Sequence, residues 1–225
     1  MLAVVLVGGL GTRLRSVVSD VPKPLAPVRG RPFLAYLLDR LDAQGITEVM
    51  LATGYLGGQV VEAIGDRHGR IAVRYSLEES PLGTGGAVRR ALAMVDRWPT
   101  FVLNGDTFLA LDYRAMARAH QRVGASLTVA VTSVPDAGRY GRVLITNQRV
   151  TGFEPKGVAG PGLINAGVYL FNRDTLPSNV PQRFSLETDF LSPCLEALAP
   201  LAFDADGYFI DIGVPEDYQR AQREL

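Results

Sequence analysis

The sequence predicts an α/β protein, a three-layer sandwich built on a mostly parallel central sheet and followed by a mixed second half. Three observations predict it. Apolar runs of strand length alternate with helix-period segments through the first half. Glycine-rich or Asn-Gly-Asp turns follow two of those runs. From Tyr140 the alternation stops, and strand-like runs succeed one another with little helix between them.

Leu2 to Val7 is continuously apolar and reads as a buried strand, with the glycines Gly8, Gly9 and Gly11 directly after it. Phe33 to Gln44 has helical spacing, starts after Pro32 and stops at Gly45. Glu48–Thr53 is a second strand, Gln59–Ile64 a short helix and Ile71–Tyr75 a third strand. Gly85–Val95 is helical, and Thr100–Leu103 is a strand ending in Asn104-Gly105-Asp106. Asp112 caps a helix running to about Arg122, and Leu127–Thr132 follows as a strand. Such alternation implies a parallel sheet covered on both faces, with ligands bound outside the carboxyl ends of its strands. Beyond Tyr140, strands are expected at Arg142–Ile145, Val150–Glu154, Ile164–Phe171 and Tyr208–Ile210, and helices at Glu187–Leu198 and Pro215–Arg223. No linker, repeat or low-complexity segment divides the 225 residues, so one domain is expected, with halves of about 1–135 and about 136–225.

Composition narrows the function. The formal net charge is zero, so no global field favours nucleic acid or an anionic membrane. No apolar run approaches the roughly 18–20 residues that span a bilayer, and the N-terminus lacks a basic leader region. A cytoplasmic setting is expected. Cys194 is the single cysteine, so no intrachain disulfide can form, and with only His68 and His120 a zinc site of the usual Cys/His type is excluded. The polar neighbours of both histidines suggest surface positions, whereas Trp98, Met50, Met94 and Met116 read as core and Cys194 as a buried spacer.

The loop after the first strand carries the chemistry. Glycines let the backbone approach a ligand with N–H groups pointing at it, and Arg13 adds a planar cationic fork suited to phosphate. Lys23 sits between Pro22 and Pro24, which stiffen the chain and aim the ammonium. Neither standard phosphate motif fits. No Gly-Lys-Ser/Thr occurs here, and Leu14 stands where a dinucleotide fingerprint needs glycine.

GGLGTRL followed by PKPLAPVRGRPFL closely resembles the signature of the sugar-1-phosphate nucleotidyltransferases. The likeness continues through SPLGTGGA (80–87), NGD (104–106), YGRV (140–143), FEPKG (153–157), NAGVYLF (165–171) and IDIG (210–213), in family order and over nearly the whole chain. It implies a Rossmann-like, GT-A-like nucleotidyltransferase fold, with a nucleotide-binding first half and a sugar-phosphate-binding second half. It also implies attack by a sugar 1-phosphate oxygen on the α-phosphorus of a nucleoside triphosphate, with loss of pyrophosphate. Such chemistry needs positioning and charge neutralisation rather than a covalent nucleophile.

By that resemblance, Leu6, Gly8, Gly9, Gly11, Thr12 and Arg13 belong to the nucleotide site. Arg13 would spread charge from the leaving pyrophosphate, and Lys23 would hold the reacting phosphates. Glu78, Gly83 and Thr84 match the base-reading segment, and Asn104 and Asp106 the sheet-edge turn. Glu78 favours GTP, because a carboxylate accepts two parallel N–H bonds from guanine, although the adjacent Glu79 competes and a surface acidic pair is the bland alternative. Asp106 and Asp211 match two magnesium-binding aspartates, so Mg²⁺ is the expected cofactor. Gly141, Glu154, Lys156 and Asn165 match the sugar-phosphate side. Pro155 replaces the second acid often found in that block.

The short chain, LVGGLGTRLR and FSLETDFL (184–191) look most like the guanylyltransferases that act on D-glycero-D-manno-heptose 1-phosphate for surface polysaccharides such as capsule. Mannose 1-phosphate guanylyltransferases and N-acetylmuramate 1-phosphate uridylyltransferases compete. The expected partners are GTP, or another nucleoside triphosphate, and a sugar 1-phosphate, with no nucleic acid and no membrane. A homodimer is one arrangement among several. Two other classes remain. A glycosyltransferase would use an Asp-x-Asp motif, which Asp204-Ala205-Asp206 offers, although a polar hairpin turn explains it equally. A non-catalytic sugar-nucleotide sensor would not need Arg13, Lys23, Asp106 and Asp211 together.

Overall fold

The computed structural model describes residues 1–9, 14, 18, 21–177 and 179–225. Gly11, Thr12 and Arg13 of the phosphate loop lie outside the described residues.

The chain opens with β1 (Leu2–Leu6) and a 3-10 turn at Lys23–Leu25, then the small hairpin β2 (Pro27–Val28) and β3 (Arg31–Pro32). It continues with α1 (Phe33–Ala43), β4 (Glu48–Thr53), α2 (Gly57–Ile64), β5 (Arg67–His68), β6 (Ile71–Leu77) and α3 (Gly83–Leu92). Next come β7 (Thr100–Asn104), β8 (Thr107–Leu109), α4 (Tyr113–Arg122) and β9 (Leu127–Val134). The second half holds β10 (Val143–Thr146), β11 (Arg149–Phe153), β12 (Gly162–Phe171), α5 (Leu195–Leu198), β13 (Leu201–Asp204), β14 (Phe209–Asp211) and α6 (Pro215–Glu224).

Among the described residues, ten strands form one sheet in the order β10-β11-β13-β9-β12-β7-β1-β4-β6-β5. Its centre is the parallel block β7-β1-β4-β6, and β9 and β13 run in the same direction beyond the antiparallel strand β12. The register aligns Leu6 with Ala52 on one side and Asn104 on the other, so three strands end level at one edge.

Strand alternation fills both faces. Ala3, Val5 and Val7 pack with Leu34, Leu38, Val60, Tyr113 and Met116, which belong to α1, α2 and α4. Leu2 and Val4 face Ala87, Val88 and Ala91 of α3 and Phe184, Phe190 and Leu191. At about 1.5–3 kcal/mol for each fully buried aliphatic side chain, these two layers fix the sheet edge as a rigid platform. A third cluster ties Phe33, Val28, Ile210, Ile212 and Tyr218 together and seats α6 and β14 against the β2–β3 hairpin.

The elements of the first half lie within a few residues of their expected bounds, and Asp112 caps α4 by accepting from Ala115 N at 2.8 Å. Five expectations need correction. Glu187–Leu198 is not one helix: a π-helical turn covers Leu186–Leu191, and α5 spans only Leu195–Leu198. Ser185 caps that turn, its Oγ accepting from Thr188 N at 3.3 Å, and Asp189 Oδ2 accepts from Ser185 N at 2.7 Å. His120 is not a surface residue. It is 2% exposed, with Nδ1 2.8 Å from Thr128 Oγ1 and Nε2 3.1 Å from Asn172 Oδ1, and burial lowers its pKa. Met94 is exposed rather than core, and Cys194 is half-buried at the start of α5. Asp204-Ala205-Asp206 is not a hairpin turn, because Asp204 ends β13, a strand of the main sheet paired parallel to β9, whereas β14 belongs to a separate ladder. For the same reason Asp211 reaches the site from the β8–β14 ladder and not from the main sheet.

Candidate functional site

The level ends of β1, β4 and β7 build the floor of the site. Gly8 lies so close to Gly54 that a Cβ there would stand 2.7 Å from Gly54 N, so the turns after β1 and β4 can meet only through glycine. Gly105 N donates to Leu6 O at 2.9 Å, and a Cβ at Gly105 would meet that oxygen at 2.5 Å. The Asn-Gly-Asp turn is thereby pressed against the first strand.

A cavity of about 430 Å³ opens over this floor. It brings together Leu6, Gly8, Gly9, Glu78, Gly83 and Thr84, the described part of the expected nucleotide set apart from Lys23, Asn104 and Asp106. Ala52, Gly54, Tyr55, Ser80 and Pro81 also line it; of these only Ser80 and Pro81, in the SPLGTGGA block, were marked in the sequence. Glu78 closes one wall, where its Oε2 accepts from Leu82 N at 3.1 Å. Burial pushes the Glu78 carboxyl above its ordinary value, against the Leu82 N–H and the Arg90 charge, which pull it down. Glu79 lines the same cavity and is exposed.

The glycines of SPLGTGGA serve packing as much as access. A Cβ at Gly85 would fall 2.2 Å from the Phe184 ring, and one at Gly86 2.5 Å from Gln182 O. Thr84 Oγ1 accepts from Leu186 N at 2.9 Å. The first turn of α3 therefore carries the 182–186 segment on one side while Gly83, Thr84 and Ala87 face the cavity.

Next to this cavity lies a charge cluster. Lys23, in a 3-10 turn with Pro22 before it and Pro24 within it, donates from Nζ to Asp106 Oδ2 at 2.5 Å and lies 3.6 Å from Asp211 Oδ1. Its side chain is 9% exposed. Asp106 leads into β8, Asp211 ends β14, and the β8–β14 ladder with the Ile212 N–Asp106 O bond at 3.0 Å holds them side by side. Burial first, and then the neighbouring Asp106 carboxylate, push the Asp211 carboxyl upward, while Lys23, Arg139 and the Gly213 N–H oppose them. Arg139 lies 3.5 Å from Asp211, makes a short ion pair with Asp217 of α6 and stacks over Tyr140. Nothing in the sequence pattern marked Arg139 as tied to Asp211.

Among the described residues no group of three or more Asp, Glu, His or Cys converges as a self-sufficient metal site. The two carboxylates already hold a cation between them, the Lys23 ammonium, and a hard divalent ion completed by phosphate oxygens and water suits the same oxygens.

The expected sugar side is assembled in part. Gly141 has φ +84°, and a Cβ there would stand 2.4 Å from Glu154 O, so YGRV and FEPKG are locked together. Glu154 is drawn toward Arg142, 3.3 Å from its Oε2, and Lys156 is exposed. Asn165 stands where the β12–β9 register shifts. Gly167, at φ +69°, brings that irregularity against Asn104, whose Nδ2 would lie 2.6 Å from a Cβ. The Asn165 side chain bonds Tyr169 and Glu187, the latter a residue not singled out in the sequence.

A cavity built of glycine backbone and walled by Glu78 and Glu79, beside a lysine held between two aspartates, has the chemistry of a nucleotide-handling phosphoryl-transfer site rather than of a nucleophile–base site. In agreement, the Nucleotidyl transferase family model matches residues 2–225, and the chain belongs to that family. It is similar to D-glycero-alpha-D-manno-heptose 1-phosphate guanylyltransferase of Aneurinibacillus thermoaerophilus, 42% identical over all of this chain and 98% of that protein. The enzyme of the same name from Campylobacter jejuni is 41% identical over 97% of each chain. A mannose-1-phosphate guanyltransferase of Schizosaccharomyces pombe is 33% identical, and the match covers 62% of its length. Among solved structures, HddC from Yersinia pseudotuberculosis complexed with GMP-PN superimposes with TM-score 0.89 at 35% identity, over 99% of this chain and 98% of that one. No helix among the described residues is long and apolar enough to cross a membrane.

Proposed function

We propose that this protein transfers GMP from GTP to D-glycero-α-D-manno-heptose 1-phosphate, releasing pyrophosphate and supplying an activated sugar for surface polysaccharide. The observation that carries the reading is Lys23 held between Asp106 and Asp211 beside a cavity walled by Glu78. The names of the full-length relatives support the choice of guanine and heptose.

In this reading the guanine lies against Glu78, whose carboxylate accepts from N1–H and N2–H, while Gly8 and Gly9 let the triphosphate approach the backbone. Lys23 exchanges carboxylate for phosphate oxygens and draws the two mutually repelling phosphates together. A sugar-phosphate oxygen bonds to the α-phosphorus as the bond to the β-phosphate oxygen breaks, and pyrophosphate leaves. Arg13 would take up the charge of that leaving group. Mg²⁺, held by Asp106 and Asp211, would supply Lewis-acid neutralisation of the α-phosphate. Asp106 and Asp211 orient each other through the β8–β14 ladder, and Gly141, Glu154, Lys156 and Asn165 form the acceptor side.

The test is pyrophosphate release with Mg²⁺ for GTP, UTP, dTTP, CTP and ATP, each paired with the 1-phosphates of the heptose, mannose and N-acetylmuramic acid. GTP with the heptose phosphate should give the highest kcat/KM. A different winning pair would overturn the substrate assignment, and silence across the panel would overturn the reaction.

A further inference from the structure

We infer that Glu187 is the sugar-specificity residue of this site, presenting one carboxylate oxygen to the hydroxyls of the acceptor. The inference rests on the sugar 1-phosphate reading given above.

The π-helical turn Leu186–Leu191 offers three polar side chains in succession: Glu187, Thr188 and Asp189. Two of them are consumed locally. Asp189 Oδ2 accepts from Ser185 N at 2.7 Å, its Oδ1 accepts from Thr188 Oγ1 at 3.0 Å, and Thr188 N donates to Ser185 Oγ at 3.3 Å. Leu186 and Phe190 are buried under the sheet, and Leu186 N is tied to Thr84 Oγ1. The turn is therefore pinned at both ends, and Glu187 is left facing β12.

There it meets a prepared partner set. Asn165 Nδ2 and the Tyr169 hydroxyl both donate to Glu187 Oε1 at 3.1 Å, and Asn165 Nδ2 also donates to Tyr169 at 2.7 Å. Tyr169 is 1% exposed, so its hydroxyl cannot turn to solvent and Oε1 is committed to it. Oε2 has no hydrogen bond among the described residues, and Glu187 itself is exposed. The irregularity of β12 that turns Asn165 out also packs Gly167 on Asn104, two residues from Asp106. One carboxylate oxygen is thus held rigidly beside Asn165 and near the reacting edge with its lone pairs open. That geometry suits a pyranose hydroxyl, which must donate to something when water leaves.

Glu187→Gln tests this without disturbing the fold. Asn165 and Tyr169 both donate to Oε1, so the glutamine oxygen must stay on their side, and its NH₂ replaces an acceptor by a donor on the sugar side. Loss of a charged acceptor should lower kcat/KM for the preferred sugar 1-phosphate by about 10- to 100-fold. It should also reduce the discrimination between heptose and mannose phosphates and leave KM for GTP within about twofold. Deoxy analogues of the preferred sugar phosphate, each lacking one hydroxyl, identify the donor: for one of them Glu187→Gln should have no further effect. Tyr169→Phe removes one of the two donors that fix Oε1 but keeps the carboxylate, so it should reduce sugar discrimination less than Glu187→Gln does. An unchanged sugar KM and unchanged discrimination in Glu187→Gln would overturn the inference, as would a parallel rise in KM for GTP. Failure of the reaction reading would show in the wild-type protein. Failure of this inference shows only in the variant, measured with whichever pair the wild type uses.

Discussion

Replacing Lys23 with methionine keeps the side-chain bulk and removes the cation between Asp106 and Asp211. At 3.6 Å and an effective dielectric of about 20, the attraction to Asp211 alone is roughly 4–5 kcal/mol before desolvation is set against it. Asp106 is 36% exposed on its side chain, so solvent screens part of the second interaction. Breaking a buried pair by removing one partner costs about 3–5 kcal/mol, and partial exposure here brings the expected loss to about 2–4 kcal/mol. For a chain of this size that corresponds to a Tm lowered by about 5–15 °C at pH 8. The sign with pH follows from Asp211, whose carboxyl burial and Asp106 already raise and whose restraint by Lys23 would be gone. A folded-state pKa above the unfolded value penalises the fold at pH above it, and the penalty fades as pH falls through it. The gap between variant and wild type should therefore narrow from pH 8 to pH 5, followed by thermal melts without nucleotide. A variant melting within about 2 °C of wild type at pH 8, or a gap that grows toward acid, would refute the account. Turnover should fall at least about 10³-fold regardless of pH.

Glu78→Gln should lower kcat/KM for GTP by about 10- to 100-fold and compress its preference over ITP, whose base lacks the second N–H donor. In the wild type, the raised carboxyl of Glu78 protonates earlier on acidification than an exposed glutamate, so KM for GTP should climb as pH falls, and a flat profile would count against base contact. Gly167→Ala forces a side chain into φ +69° and against Asn104, so a loss of about 1–3 kcal/mol in melting experiments should accompany a weaker sugar-phosphate KM. Alanine at Asp204 or Asp206 should leave turnover within about threefold. Abolition by either would revive the glycosyltransferase reading.

What the linear chain made legible is what depends on local pattern. Continuous apolar runs marked β1 and β4, helical spacing marked α1, and a short polar side chain before Tyr113 marked the cap of α4. The glycine turns at 8–9 and 104–106 were legible because only a ligand or another backbone explains glycine directly after a buried strand. They proved to serve both ends, since Gly8 and Gly105 seat neighbouring strands and Gly8 also lines the cavity floor. The pairing of Asp106 with Asp211 came from resemblance, and its geometry could not have come from spacing. It depends on a two-strand ladder outside the main sheet, set by residues about a hundred positions apart. Helical period at 187–198 did not distinguish a π-helical turn from an α-helix and did not mark the break between Leu191 and Leu195. His120 was misplaced because polar sequence neighbours do not reveal that Thr128 and Asn172 fold over it. Arg139 at Asp211 and Glu187 at Asn165 exist only in three dimensions. The sequence alone determined which residue types could bind phosphate and metal, and along which strands they lie. The tertiary structure alone decided which charges neutralise one another, because ion pairing and burial depend on distances through space that no local pattern encodes.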